Sequence, residues 1–160
     1  MIEYGLTIAI VGAGIGAILA GIGSILGVRT VGQASAGIVS EDPDTFGKVL
    51  ILTALPGSQG IYGFLAAVII ANKIGILSGT PIDLSVAQGF QIMFAALPVG
   101  ILGMFSAMFQ GKLAAAGVNI VAKKPDASGK GVILAAIVET YAVLGLLITI
   151  LLVNGLVLVK

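Results

Sequence analysis

Glu139 is a carboxylate in the middle of an otherwise uncharged apolar stretch, residues 131–159. An acid at that depth in a bilayer costs about 3 kcal/mol or more unless it is neutralised, paired or liganded. No lysine or arginine lies at a matching depth; the partners within reach are oxygens. They are the Ser58 hydroxyl, the Gln59 and Gln110 amide carbonyls, and a backbone carbonyl near Pro56. Proline has no N–H, so a helical carbonyl one turn earlier loses its donor and can face a ligand. Hard cations such as sodium take oxygen ligands, and one carboxylate matches one monovalent charge. Tyr62, one turn beyond Ser58, can donate its hydroxyl to the carboxylate and hold it in place. A bare proton site needs only the carboxylate and apolar surroundings that favour its neutral form. Additional oxygens are superfluous for a proton, so the set favours sodium, with the proton as the alternative.

Singly, each of these residues has a plainer role. Glutamines in membrane helices join neighbouring helices, a serine can bond its own helix, and Tyr62 can pack. What joins them is depth. Counted from Gly47, Ala122 and Gly129, the residues Ser58, Gln59, Gln110 and Glu139 lie 10 to 12 positions in. At the helical rise that is roughly 15–18 Å for all four, so three helices place polar groups in one plane.

Four stretches can supply those helices. Residues 5–28, 49–72 and 84–111 are uncharged, and 131–159 holds only Glu139. Each exceeds the ~20 apolar residues needed to span hydrocarbon. The composition agrees: 9% of the chain is charged and 58% hydrophobic, where a soluble domain carries charge on about a quarter of its residues. The polar breaks between stretches are short, so successive helices run antiparallel. The first stretch has Glu3 but no basic residue before Arg29, and its apolar run is too long for a signal peptide, so it reads as a retained helix. Arg29, Lys48, Lys112, Lys123, Lys124 and Lys130 flank the first and third loops, against Lys73 and Lys160 on the other side. That asymmetry places those two loops in the cytoplasm and both termini outside.

The chain repeats itself at an offset of 82 residues. Pro43-Asp44 and Gly47-Lys48 return as Pro125-Asp126 and Gly129-Lys130, Ser24 as Ser106, Ile51-Leu52 as Ile133-Leu134, and Gly63 as Gly145. The fold expected is an all-α membrane protein of two fused hairpins in a parallel repeat. The first covers 1–80, with spans at about 5–35 and 48–74; the second covers 81–160, with spans at about 84–121 and 130–158. The inverted repeats of many secondary transporters are a different arrangement. Gly57 stands where the second hairpin has Glu139, so there is one acid per pair of hairpins.

Several classes fall away. With no cysteine or histidine there is no disulfide, thiol nucleophile or usual zinc or haem ligand set. A net charge of +1 makes no case for nucleic acid. The G-x-G-x-x-A match at 12–17 lies inside a span with no strand before it. It reads as the small-residue spacing of packed membrane helices, as do Gly23 and Gly27. Pro98 reads as a kink. No phosphate-binding loop, paired carboxylates or nucleophile–base pair is present, so the chain reads as non-catalytic.

Three motifs, Leu55-Pro56-Gly57-Ser58-Gln59-Gly60-Ile61-Tyr62-Gly63, Phe109-Gln110-Gly111-Lys112 and Val138-Glu139-Thr140-Tyr141, resemble the K subunit of bacterial sodium-translocating V-type ATPases. This is the duplicated 16-kDa proteolipid, and the resemblance covers essentially the whole chain. It implies a membrane rotor ring of identical subunits set in lipid, with helices 1 and 3 inside and helices 2 and 4 outside, turning with ATP hydrolysis elsewhere in the complex. It implies a sodium site made by the Leu55 backbone carbonyl, Ser58, Gln59, Gln110 and Glu139, with Tyr62 bonded to Glu139. It implies a stator component whose arginine displaces the ion, and central stalk subunits facing loops 36–47 and 122–129. Where the best-known sodium members carry threonine this chain has Ser58, which keeps the hydroxyl oxygen. Two other readings remain: the same rotor carrying protons, and a self-contained small transporter or channel, which would work without a large closed ring.

Overall fold

In the computed structural model, residues 4–158 are described; Glu3, Val159 and Lys160, which the sequence places at the two ends of the spans, lie outside them. The described residues are helical and contain no strand. Helix α1 spans Tyr4–Glu41, α2 Phe46–Ala54, α3 Ser58–Lys73, α4 Val86–Lys123 and α5 Ser128–Gly155. Together they make four apolar spans, with α2 and α3 forming one of them.

Proline dictates where the chain turns. A residue before proline is pushed out of the helical region, and Asp42 (φ −140°) and Lys124 (φ −148°) both lie outside it. Pro43 and Pro125 then open matching 3₁₀ turns, Pro43–Thr45 and Pro125–Ala127, so the 82-residue repeat recurs in three dimensions. The Asp42 carboxylate accepts the Asp44 N–H at 3.2 Å and fixes the first turn. An exposed ion pair, Lys48 Nζ to Asp126 Oδ1 at 3.8 Å, joins the start of α2 to the second turn and puts the two turns at the same end of the bundle. At the other end, Gly75 (φ +79°) and Gly79 (φ +70°) take left-handed conformations in the longer connection, which Ser85 and Gln88 close with a reciprocal cap on α4.

Two expected boundaries differ. The stretch 36–47, expected as a loop, is helical as far as Glu41. At 38 residues α1 and α4 are each ~57 Å long, well beyond a ~30 Å hydrocarbon core, so they project from it. The span expected at 48–74 is not one helix: Pro56 cannot donate, and a 3₁₀ turn at Leu55–Gly57 separates α2 from α3.

Helices α1 and α4 run parallel in close contact. Gly5 lies against Ser85 and Gly89, Gly16 against Ala96 and Gly100, and Gly27 against Ala107 and Gly111. The glycine spacing seen in the sequence is thus a helix–helix seam. The α2–α3 span packs antiparallel on α1, with Ser35 and Thr53 hydroxyls 2.9 Å apart and Gly63 over Ala20. Helix α5 packs antiparallel on α4, with Gly131 on Gly117 and the Thr149 hydroxyl accepting the Val99 N–H at 3.1 Å, beside Pro98. Helices α3 and α5 turn Ile61, Phe64, Leu65, Ile137, Leu144 and Leu151 outward. In water such faces would drive association, whereas lipid solvates them.

A side chain at Gly111 would place its Cβ 2.5 Å from the Gly27 backbone, so α1 and α4 would have to separate. Gly111→Leu is therefore expected to remove most of the folded protein recovered in mild detergent, measured by size-exclusion chromatography. Gly14→Ala, whose Cβ meets nothing within 4 Å, should leave that yield unchanged.

Candidate ion-binding site

The site begins at the break in the second span. Where Pro56 ends the α2 ladder, the Leu55 carbonyl accepts the Ser58 N–H of the 3₁₀ turn and the Ser58 hydroxyl at 3.1 Å. The turn leaves Ser58 and Gln59 in the first turn of α3, with Gln59 directed into the bundle and fully buried. The Ser58 hydroxyl also lies 3.3 Å from Gln59 Oε1.

From Gln59 a hydrogen-bonded chain crosses three helices. Gln59 Nε2 donates to Gln110 Oε1 on α4 at 2.7 Å and to Ser106 Oγ at 3.4 Å. Gln110 Nε2 donates to the Ala135 carbonyl at 3.2 Å and to Glu139 Oε2 on α5 at 3.4 Å. Tyr62, one turn along α3 from Ser58, donates its hydroxyl to Glu139 Oε1 at 2.6 Å. The structure thus brings Leu55, Ser58, Gln59, Gln110, Glu139 and Tyr62 into one network. Among the described residues, no buried side-chain nitrogen or oxygen lacks a partner, as low-dielectric surroundings demand.

Glu139 is only half-buried, and it opens with Ser58 and Leu55 onto a groove of about 420 Å³ on the outer face of the bundle. Leu50, Ile51 and Ala54 complete the lining, so the polar atoms sit at the end of an apolar recess. The donor set is one carboxylate with neutral oxygens, and no group of three His, Cys, Asp or Glu side chains gathers among the described residues. Such a set can hold one positive charge, as a cation or as a proton on the carboxylate.

Sequence reasoning missed Ser106. This hydroxyl, nearly buried, donates to the Val138 carbonyl at 2.8 Å while accepting from Gln59. Its signal was present: Ser106 lies one turn before Gln110 on the same face, and it is the repeat partner of Ser24.

Comparisons with known proteins point the same way. A family model describing the C subunit of ATP synthase matches twice, at residues 11–70 and 93–152. The two matches begin and end 82 residues apart, the offset of the repeat. The chain is 46% identical to the V-type sodium ATPase subunit K of Enterococcus hirae, over 93% of this chain and 92% of that protein. It is 40% identical to the A-type ATP synthase subunit K of Methanocaldococcus jannaschii, over 94% of this chain and 63% of that longer protein. It is 26% identical to the human 16 kDa proteolipid of the V-type proton ATPase, over 94% of this chain and 93% of that protein.

Losing the short Tyr62 bond would free Glu139 Oε1 while Gln110 stays on the other oxygen. A hydrogen bond to a charged group is worth about 1.5–3 kcal/mol. Tyr62→Phe should therefore raise the rate at which a hydrophobic carbodiimide modifies Glu139 by about tenfold, followed by mass spectrometry of the intact chain.

Proposed function

This chain belongs to the ATP synthase C-subunit family as a duplicated, non-catalytic proteolipid of the V- and A-type ATPases, and we propose that it carries sodium across the membrane at Glu139. Many copies would form the rotor ring, with α1 and α4 lining its inside and the α2–α3 span and α5 outside, facing lipid. Two hairpins, 1–80 and 81–160, share one ion per protomer. The observation that carries this reading is the network joining the one acid within the spans to Gln110, Gln59 and Ser58 across three helices.

The ligands proposed are Glu139, Gln110, Gln59, Ser58 and the Leu55 backbone carbonyl. For the cation to enter, the Ser58 hydroxyl turns its hydrogen away from the Leu55 carbonyl, so that both oxygens face the ion. The Gln59 and Gln110 carbonyl oxygens add neutral dipoles, and the carboxylate neutralises the charge. Tyr62 keeps Glu139 turned inward. A protomer in this state presents no net charge at the site and can rotate through lipid, where an uncompensated carboxylate could not. Release follows where an arginine of the stator competes for the carboxylate. The excess of basic residues around the joined turns supports a cytoplasmic position for that end, with the termini outside, and the turns at 42–47 and 122–129 would meet the central stalk.

The sodium reading draws on the neutral oxygens and on the name of the Enterococcus hirae relative. The human relative is named for protons, which keeps the proton as the second reading. Carbodiimide modifies the protonated acid, so sodium bound at Glu139 should protect it. Protection by millimolar sodium at neutral pH is expected, with none from the same concentration of potassium. Labelling unaffected by high sodium would transfer the role to protons. Glu139→Gln should abolish ion transport by the assembled ATPase; full transport by that variant would overturn the assignment of Glu139.

A further inference from the structure

Ser106 is not among those ligands, yet it joins one of them, Gln59, to the Val138 carbonyl next to Glu139 in the chain. We infer that Ser106 is a positioning residue that sets cation affinity by holding the Gln59 amide with its oxygen toward the ion. The inference rests on the sodium reading above.

The argument is one of donors and acceptors. A serine hydroxyl has one hydrogen, and that of Ser106 goes to the Val138 carbonyl at 2.8 Å. Toward Gln59 it can then only accept, so Gln59 must turn its NH₂ group to α4. Gln110 enforces the same direction, because its own NH₂ lies on the Ala135 carbonyl and the Glu139 carboxylate, neither of which can donate. Both hydrogens of Gln59 Nε2 are thereby engaged inside the bundle, and Oε1 is left on the Ser58 side.

The repeat explains why Ser106 is available. Its counterpart Ser24 accepts the Gly60 N–H at 2.7 Å, a backbone donor next to the 3₁₀ turn at Pro56. Helix α5 has no such break and runs unbroken through 138–142, so its N–H groups stay in their own ladder. The serine lone pair that binds backbone in the first hairpin binds a side chain in the second.

Without the Ser106 hydroxyl, the Val138 carbonyl and one Gln59 N–H lose their shared partner together. They are the obvious replacements for each other, and their closure would draw the Gln59 oxygen off the cation. Glu139 would keep Tyr62 and Gln110 as its donors, so the loss falls on the neutral oxygens that serve the cation.

The test uses the assembled ring, with carbodiimide labelling of Glu139 measured against sodium concentration and against pH. Ser106→Ala should raise the sodium concentration for half-protection by about tenfold, while the pH dependence of labelling in sodium-free buffer stays in place. Ser106→Thr, which keeps a hydroxyl, should lie within about threefold of wild type. Thr149→Val removes another buried hydroxyl from the α4–α5 contact, away from the site, and should leave half-protection unchanged. If Ser106→Ala does not assemble, Ser106→Cys is read on the same axes, with a weakening of the same sign. Unchanged half-protection in the Ser106 variant overturns the inference, as does a shift matched by Thr149→Val or accompanied by an equal shift in the pH curve. Failure of sodium to protect the wild-type ring removes the sodium reading, and this inference with it. Protection of wild type with an unaltered Ser106→Ala removes this inference alone.

Discussion

A carboxylate within a membrane span constrains everything around it. Glu139 sits on α5 with no cationic side chain beside it, so polar neighbours must supply what water would. Two donors do so from opposite sides, Tyr62 from α3 and Gln110 from α4. Neither could reach without the rest of the fold. Gln110 serves Glu139 and Gln59 together only because α4 lies between α3 and α5. Helix α4 holds that place because its glycines let it run in backbone contact with α1. The seam that looks like generic membrane packing is thus what brings the polar layer together.

Duplication supplied two similar hairpins, and differences between them gave each a separate share of one polar network. Gly57 stands where Glu139 would be, and a Cβ there would meet nothing within 4 Å, so nothing in the chain itself excludes a side chain. Another difference is Pro56, which has Val138 as its counterpart. Pro56 breaks the helix in the first hairpin and exposes backbone groups, while Val138 leaves α5 continuous. One hairpin therefore contributes a broken backbone with a carbonyl and hydroxyl, and the other an intact helix with the acid. A site of this kind needs both halves.

The spans, the repeat and the polar plane were legible in the sequence because each depends on spacing along a helix. Hydrophobic length located the spans, and counting in from the polar breaks set Ser58, Gln59, Gln110 and Glu139 at one depth. Even the Tyr62 bond followed from a single helical turn. Other features depend on the rotation of one helix against another, which spacing does not give. The continuation of α1 to Glu41 was hidden because Ser40 and Glu41 read as loop by polarity, although a helix leaving the membrane can be polar there. The 3₁₀ turn at Leu55–Gly57 was only half visible: Pro56 announced a missing donor, but not that Ser58 would supply both its N–H and its hydroxyl to Leu55. Ser106 was legible only as a repeat mark, and its contacts with Gln59 and Val138 required three helices to be in place.

Hydrogen-bond direction gives the site its chemical character. The Ala135 carbonyl can only accept, which turns Gln110 so that its NH₂ points at α5 and its oxygen at α3. Gln59 answers with its own NH₂, and its oxygen is left beside Ser58. The Ala135 acceptor orders Gln110, and Gln110 with Ser106 in turn orders Gln59. A cation gains from every oxygen so aligned. An ordered row of amides beside a single acid is costly to keep buried unless every donor is met, and here both amide NH₂ groups are met, Gln59 by Gln110 and Ser106 and Gln110 by the Ala135 carbonyl and Glu139. Under the sodium reading proposed above, that directional order, more than the presence of Glu139, sets the site apart from a membrane helix with a lone acid.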